Sequence, residues 1–208
     1  MFITFEGTEG SGKTTQIKTL GAYLTSNGFD VVVTREPGGT DIGRQIRQVL
    51  HDVKNGEMVS EAEILLYASD RAQHVNQLIR PALERGAVVL CDRFIDSTFA
   101  YQGYGRELSL ENLKLITRFA TGGLIPDLTL YLHVDPEEGL RRRKKGDLEM
   151  NRMDLQTQAF YGRVESGYAA LMAADPQRWE PVDASGSINA VQEIIQAIVS
   201  TRIARFRA

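Results

Sequence analysis

The strongest constraint on this chain lies in its first fourteen residues. An apolar run, Phe2-Ile3-Thr4-Phe5-Glu6, reads as a short strand, and Gly7-Thr8-Glu9-Gly10-Ser11-Gly12-Lys13-Thr14 follows it at once. The pattern is G-x-x-x-x-G-K-[ST], and residues 13–26, with Ile17, Leu20 and Leu24 on one face, read as the helix that leaves it. A strand, a glycine-rich turn and a helix in that order make a phosphate cradle. Glycines let the backbone wrap closely around phosphate oxygens with its N–H groups turned inward, and the helix adds its positive end. The Lys13 ammonium reaches the β- and γ-phosphates, the Thr14 hydroxyl can ligate Mg²⁺, and Thr15 beside it is expected at the ATP site too. Motif and flanks together point to ATP or GTP binding. Glu9 is at odds with that loop, because a carboxylate beside a triphosphate is unfavourable. Either it points to solvent, or it faces away from the ATP phosphates and accepts a hydrogen bond from an acceptor's hydroxyl.

The rest of the chain alternates apolar runs with stretches of helical period. Strands are predicted over 30–34, 87–91, 127–134 and 179–182, the first of them buried on both faces. Helices are predicted over 41–53, 60–84, 109–121, 136–145 and 154–174, with a last one carrying Ile188, Val191, Ile194, Ile195, Ile198 and Val199 at helical spacing. Alternation of this kind predicts an α/β fold of three layers, an about five-stranded parallel sheet flanked by helices. At 208 residues the chain is long enough for one such domain, 1–208. Its 24 Lys+Arg against 27 Asp+Glu give a net charge of −3, so bulk attraction to nucleic acid or to an anionic membrane is not expected. No apolar run is long enough to span a bilayer, the N-terminus lacks a basic leader, and the one cysteine, Cys91, excludes an intrachain disulfide. A cytoplasmic protein is expected. Cys91 reads as a buried small hydrophobe in its strand, and His51, His74 and His133 have no metal-ligand spacing.

A second constellation follows the 87–91 strand: Asp92-Arg93-Phe94-Ile95-Asp96-Ser97-Thr98-Phe99-Ala100-Tyr101-Gln102-Gly103. The C-terminal end of a parallel strand is the ligand edge of an open α/β sheet. There Arg93 can neutralise phosphate charge with its planar fork, and Asp92 can hold Mg²⁺ through water or position the attacking oxygen. As a bare dipeptide the pair could equally be a surface ion pair. Tyr67 and Arg71, four apart on a predicted helix, share one face.

These segments resemble the bacterial thymidylate kinases, which phosphorylate dTMP to dTDP with ATP. The match runs in order through Phe5–Thr14, Thr34-Arg35-Glu36-Pro37-Gly38-Gly39-Thr40, Leu65-Leu66-Tyr67-Ala68-Ser69-Asp70-Arg71, Asp92–Gly103 and Pro126–Leu132. The resemblance implies that Tyr67, where Phe is common, stacks on thymine, and that Arg71 hydrogen-bonds the base. It places Ser97, Thr98 and Gln102 around the nucleotide and Tyr101 against the sugar, where it disfavours a ribose 2′-hydroxyl. Glu9 would then contact the deoxyribose, Arg35 and Arg93 the acceptor phosphate, and Pro37 the pocket wall, while Glu36 and Asp92 organise either Mg²⁺ or the arginines. Asp183-Ala184-Ser185 resembles the loop that lines adenine by backbone contacts. A homodimer is implied too.

Residues 141–152 carry six cations and two carboxylates, a marked local excess in a chain of net charge −3. Such a run is usually a solvated helix face. In the family it resembles a small mobile lid, here about residues 141–153, that closes on the triphosphate and supplies a cation. With Gly10 rather than a basic residue in the phosphate loop, the chain is similar to members whose catalytic arginine lies in the lid. Arg152 aligns with it, although Asn151 stands where Asp is usual, and Arg142 and Arg143 are the alternatives; Arg142 is also placed at the ATP site. The expected chemistry is in-line transfer aided by Mg²⁺, Lys13, Arg93, Asp92 and a lid arginine. The rivals are a kinase for another small acceptor and a nucleotide switch that transfers nothing. The guanine-reading Asn-Lys-x-Asp of a GTPase switch is absent.

Overall fold

The computed structural model describes residues 1–135, 138, 139, 141, 142 and 151–207. Five strands, β1 (Phe2–Glu6), β2 (Val31–Arg35), β3 (Val88–Asp92), β4 (Leu128–His133) and β5 (Trp179–Asp183), form one parallel sheet in the order β2-β3-β1-β4-β5. The expected α/β architecture is therefore present, with the strand that precedes the glycine-rich loop at the centre. Helices lie between and after the strands: α1 (Lys13–Ser26), α2 (Asp41–His51), α3 (Ser60–His74), α4 (Arg80–Glu84), α5 (Ile95–Thr98), α6 (Leu110–Thr121), α7 (Gln158–Ala174) and α8 (Ile188–Arg207). The helix expected over 136–145 falls largely outside the described residues.

Strand side chains alternate between two faces, and each face has its own core. Ile3 and Phe5 of β1, Val88 and Leu90 of β3 and Leu128, Leu130 and Leu132 of β4 pack against Ile17, Leu20 and Leu24 of α1 and Val191, Ile195 and Val199 of α8. On the other face Phe2, Val89 and Cys91 meet Val75, Ile79 and Ala82 of the α3–α4 region. Phe160, Val164 and Tyr168 of α7 close over Tyr131 and Trp179 farther along. Full burial of one such aliphatic or aromatic side chain stabilises by about 1.5–3 kcal/mol.

Three local features differ from expectation. β2 is an edge strand, with Val33 exposed and Val31 and Val32 only half-buried, so its valine run reflects strand propensity and not burial on both faces. The helix expected over 60–84 is continuous but widens between α3 and α4, over Val75–Ile79. A second wide turn, Phe99–Gly105, continues α5 and carries an i→i+5 bond from Arg106 N–H to the Tyr101 carbonyl (2.9 Å). Its two glycines and three aromatics have poor helix propensity, which is why no helix is legible there.

Helix ends follow local chemistry. The Thr40 hydroxyl accepts from Gly43 N–H (3.0 Å) to start α2, and Thr157 caps α7 by accepting from Phe160 N–H (3.2 Å); such caps stabilise by about 1 kcal/mol each. Because the strands are parallel, Glu6, Arg35, Asp92, His133 and Asp183 end them at one edge of the sheet. The site lies there. Among the described residues no helix is long and apolar enough to cross a membrane.

Candidate active site

A cleft of about 880 Å³ opens at that edge. Its floor is the β1–α1 loop. Gly7 and Gly10 adopt φ values of 139° and 76°, which L side chains rarely take, and Gly12 has φ 89° immediately before α1. Lys13 is buried and bends back over the loop, donating to the carbonyls of Gly7 (3.0 Å) and Thr8 (2.8 Å) and to Ser11 Oγ (3.2 Å). Burial, and then the nearby Arg93 guanidinium, pull its ammonium down to about 8. Thr14 Oγ1 donates to Asp92 Oδ2 (2.8 Å), so the two oxygen ligands proposed for Mg²⁺ share one wall. Glu9, Gly10, Ser11, Gly12, Lys13, Thr14 and Thr15 line the cleft; Gly7 and Thr8 lie behind, holding the lysine.

Arg93 sits between the two ends of the cleft. It follows directly on β3 and takes φ 69°, an uncommon conformation for a side-chain-bearing residue. Its Nη2 donates to Glu9 Oε1 (2.9 Å) and its Nη1 to Ser97 Oγ (3.1 Å), while its guanidinium lies 4.9 Å from the centre of the Tyr101 ring. Glu9 thus faces the arginine. Behind Arg93 lies Glu6, fully buried at the end of β1. Glu6 Oε1 accepts from Phe94 N–H (2.9 Å), and Oε2 accepts from Ser97 Oγ (2.5 Å) and the Tyr168 hydroxyl (2.8 Å). Burial, then the neighbouring Asp96 carboxylate, push Glu6 up to about 7 against the pull of Arg93 and those hydroxyls.

The opposite end of the cleft is walled by Pro37, Tyr67, Arg71, Phe94, Thr98 and Gln102. Arg71 is buried and pinned by three groups: Nε donates to Glu36 Oε2 (2.7 Å), Nη1 to Thr98 Oγ1 (2.8 Å) and Nη2 to the Phe94 carbonyl (3.1 Å). Glu36 therefore organises an arginine, and its other oxygen meets His74 Nδ1 (2.9 Å), whose Nε2 meets Thr34 Oγ1 (2.7 Å). His74 is structural. Burial pushes the Tyr67 and Tyr101 phenols up, so both remain neutral. Arg35, at the end of β2, completes the basic rim.

Two residues of that rim carry no recognisable sequence signal. Arg47 and His51 lie four apart on α2 and line the cleft near Arg35. Burial and then Arg35 lower Arg47 to about 10, and burial and then Arg47 lower His51 to about 3, which leaves a neutral imidazole beside a cation. Tyr168 was equally invisible, since it reaches Ser97 and Glu6 from α7, far along the chain. Glu63 is different. It lies four residues before Tyr67 and eight before Arg71, a helical spacing that could have placed it on the pocket face.

At the far end Gln16, Ala184, Gly186, Ser187, Ile188 and Val191 make a second, less charged lobe. Arg142 reaches it, donating to the carbonyls of Ala184 (2.9 Å) and Ser185 (3.1 Å). Asp183 stands just outside, where its Oδ1 accepts from Ser185 N–H (2.9 Å). Of the expected lid, residues 143–150, Arg143 among them, lie outside the described residues. Arg142, Asn151 and Met153 line the cleft, but Arg152 does not. Its side chain is buried against Glu63, with Nη2 2.5 Å from Glu63 Oε2 and Nε donating to the Leu50 carbonyl (3.0 Å).

The family model described as thymidylate kinase matches residues 5–195. A thymidylate kinase of Roseiflexus sp. (strain RS-1) is 50% identical over 215 residues, covering 98% of this chain and 95% of that protein. One from Gloeobacter violaceus is 52% identical over 200 residues, covering 96% and 94%. The crystal structure of the thymidylate kinase from Ehrlichia chaffeensis superposes with a TM-score of 0.79 at 33% identity, covering 96% of this chain and 98% of that one.

Proposed function

The chain belongs to the thymidylate kinase family and is an enzyme that phosphorylates dTMP; we propose that it does so by in-line transfer of the ATP γ-phosphate to the 5′-phosphate of dTMP, with Mg²⁺ at the donor phosphates. The observation that carries this reading is the cleft itself. One cavity joins a phosphate cradle to a pocket lined by aromatic side chains, and Arg93 stands between them. A purely regulatory nucleotide site has no need of the second pocket.

The acceptor phosphate is already anionic, so no strong general base is required. Catalysis is positioning together with charge neutralisation. Lys13 exchanges its loop carbonyls for the donor phosphates, and Arg93 and Arg35 face the acceptor phosphate. Tyr67 stacks on the base, Arg71 donates to its carbonyl edge, and Thr98 and Gln102 complete the wall. Tyr101 packs on the sugar side with Glu9. Thr14 and Asp92 fit Mg²⁺, since they offer adjacent hard oxygens and Mg²⁺ keeps several waters and phosphate oxygens besides. When bound, the ion offsets negative charge on the transferring phosphates. Arg142 and Ala184 take the adenine end, beside Asp183. Arg142 is also the described lid cation that lines the cleft; a catalytic role for Arg152 requires its guanidinium to leave Glu63 and Leu50.

A homodimer is part of the same proposal. Val49 of α2, Leu65 of α3 and Leu115 and Phe119 of α6 are exposed, Phe119 to 92%, on neighbouring helices. Sedimentation at micromolar concentration tests it. The transfer itself is tested by ADP release with ATP, Mg²⁺ and one acceptor at a time. Release with dTMP and little with dCMP, dGMP, AMP or thymidine is expected. Equal release with and without acceptor refutes the proposal.

A further inference from the structure

Glu63 takes no part in the chemistry above, yet two arginines and an amide converge on it. It is fully buried on α3. Its Oε1 accepts from Gln102 Nε2 (2.8 Å) and Arg106 Nε (3.3 Å), and its Oε2 accepts from Arg106 Nη2 (3.1 Å) and pairs with Arg152 Nη2 (2.5 Å). Burial pushes the carboxyl up, but hydrogen bonds from Arg106 and Gln102 and the charges of Arg106 and Arg152 outweigh it and hold the pKa below the ordinary value. Glu63 is therefore an anion that can only accept.

That restriction passes to Gln102. A side-chain amide has a donor end and an acceptor end, and a carboxylate can meet only the donor end. The NH₂ group must face Glu63. The oxygen then points the other way, from a residue that lines the cleft, and it takes no hydrogen bond among the described residues. Arg71, donor-only, lines the same wall with its Nε, Nη1 and Nη2 each already anchored once. A base edge facing these two groups meets donors from Arg71 and an acceptor from Gln102. Thymine offers the complement, a carbonyl O4 beside an N3–H. Cytosine offers the reverse, an amino group beside a bare ring nitrogen.

We infer that Glu63 is a specificity-determining positioning residue: by locking the Gln102 amide with its oxygen toward the base, it makes the pocket select a pyrimidine that carries N3–H and reject cytosine. The inference rests on the dTMP reading of this pocket. Arg106 reinforces the lock by donating Nη1 to Gln156 Oε1 (2.6 Å), which fixes the fork that holds Glu63.

The test is the ratio of kcat/KM for dTMP to that for dCMP in wild type, Glu63→Gln and Glu63→Asp. In Glu63→Gln the remaining carbonyl oxygen stays with the two arginines, so the new NH₂ group faces Gln102 and turns that amide around. The cytosine ring nitrogen then meets a donor. The dTMP:dCMP ratio is expected to fall by at least about tenfold, the scale of one reversed buried hydrogen bond, mainly through KM. Glu63→Asp keeps an accepting carboxylate and is expected to hold the wild-type ratio even where its turnover is lower. Equal loss on both substrates in Glu63→Gln, with the ratio unchanged, refutes the inference and leaves the dTMP reading intact. A wild type that uses dCMP as well as dTMP refutes the inference, and one that uses no acceptor refutes the dTMP reading beneath it. Should Glu63→Gln fail to fold, a neutron structure of the wild type with dTMP decides: deuterons on Gln102 facing Glu63 support the inference, and deuterons facing the base overturn it.

Discussion

Glu6 offers the sharpest test of the electrostatics around Arg93, because it is a buried carboxylate that forms no ion pair among the described residues. Three donors surround it: Phe94 N–H and the hydroxyls of Ser97 and Tyr168. They do not offset the loss of water, and the carboxyl rises from an ordinary 4.5 to about 7. Below pH 4.5 the group is protonated in both folded and unfolded chains and costs nothing. Between 4.5 and about 7 the unfolded chain releases the proton first, so the folded state loses stability as pH rises, and the loss is complete above about 7. At 1.36 kcal/mol per pH unit the total is about 3 kcal/mol. Glu6→Gln removes the titration and keeps the shape: its oxygen can accept from Phe94 N–H, and the two hydroxyls can rotate to accept from its NH₂ group. Thermal unfolding of both proteins from pH 4.5 to 8.5 is the assay, since other titrating groups cancel in the difference. Wild type should lose about 6–12 °C relative to Glu6→Gln across that range, taking about 2–4 °C per kcal/mol for a chain of this size. Parallel curves would show that Glu6 keeps an ordinary pKa, and the account of its burial would be refuted.

Tyr67→Ala should raise KM for dTMP about 10–100-fold with little change in kcat, the scale of one lost base–aromatic stack; steady-state kinetics with ATP saturating checks it. Arg93→Ala should lower kcat about 10²–10³-fold, as removal of one group aimed at developing charge does, while ATP binding measured by calorimetry persists. Arg178→Ala should destabilise the fold by about 3–5 kcal/mol, because Arg178 Nη1 and Nη2 hold the buried Asp96 carboxylate at 2.6 and 2.9 Å. Urea unfolding measures this, and an unchanged midpoint would refute the assigned role of that ion pair.

Much of the architecture was legible because each strand is a short apolar run bounded by turn residues. β1 and α1 fall at the predicted residues, 2–6 and 13–26, since a glycine-rich loop can only separate a strand from a helix in that way. The Phe99–Gly105 turn was not legible, because its geometry comes from packing against α7 and not from local propensity. The site divides along the same line. Lys13, Thr14, Asp92, Arg93, Tyr67, Arg71 and Gln102 lie in contiguous motifs, and the structure gathers them around one cleft. Arg47, His51 and Tyr168 reach it from helices whose sequences look ordinary, and only the tertiary fold brings them there. Arg152 shows the converse. Its place in a basic run marks it as a lid cation, but Glu63, far earlier in the chain, supplies a buried counter-charge that no local pattern reveals.

The central position of β1 also sets a timetable for the growing polypeptide. Phe2 pairs with Val89, Ile3 with Leu128, and Phe2 N–H donates to Asp127 Oδ2 across 125 residues. β1 is made before either strand it pairs with, so it acquires both neighbours only once β4 has been made. At about 5–20 residues per second, it waits about 6–25 s for them. β3 reaches it first, so until β4 is made Phe2, Ile3 and Phe5 have a strand partner on one side alone. Nucleotide binding can therefore report on completion of β4, since Gly7 of the glycine-rich loop packs directly against the Leu132 carbonyl of that strand.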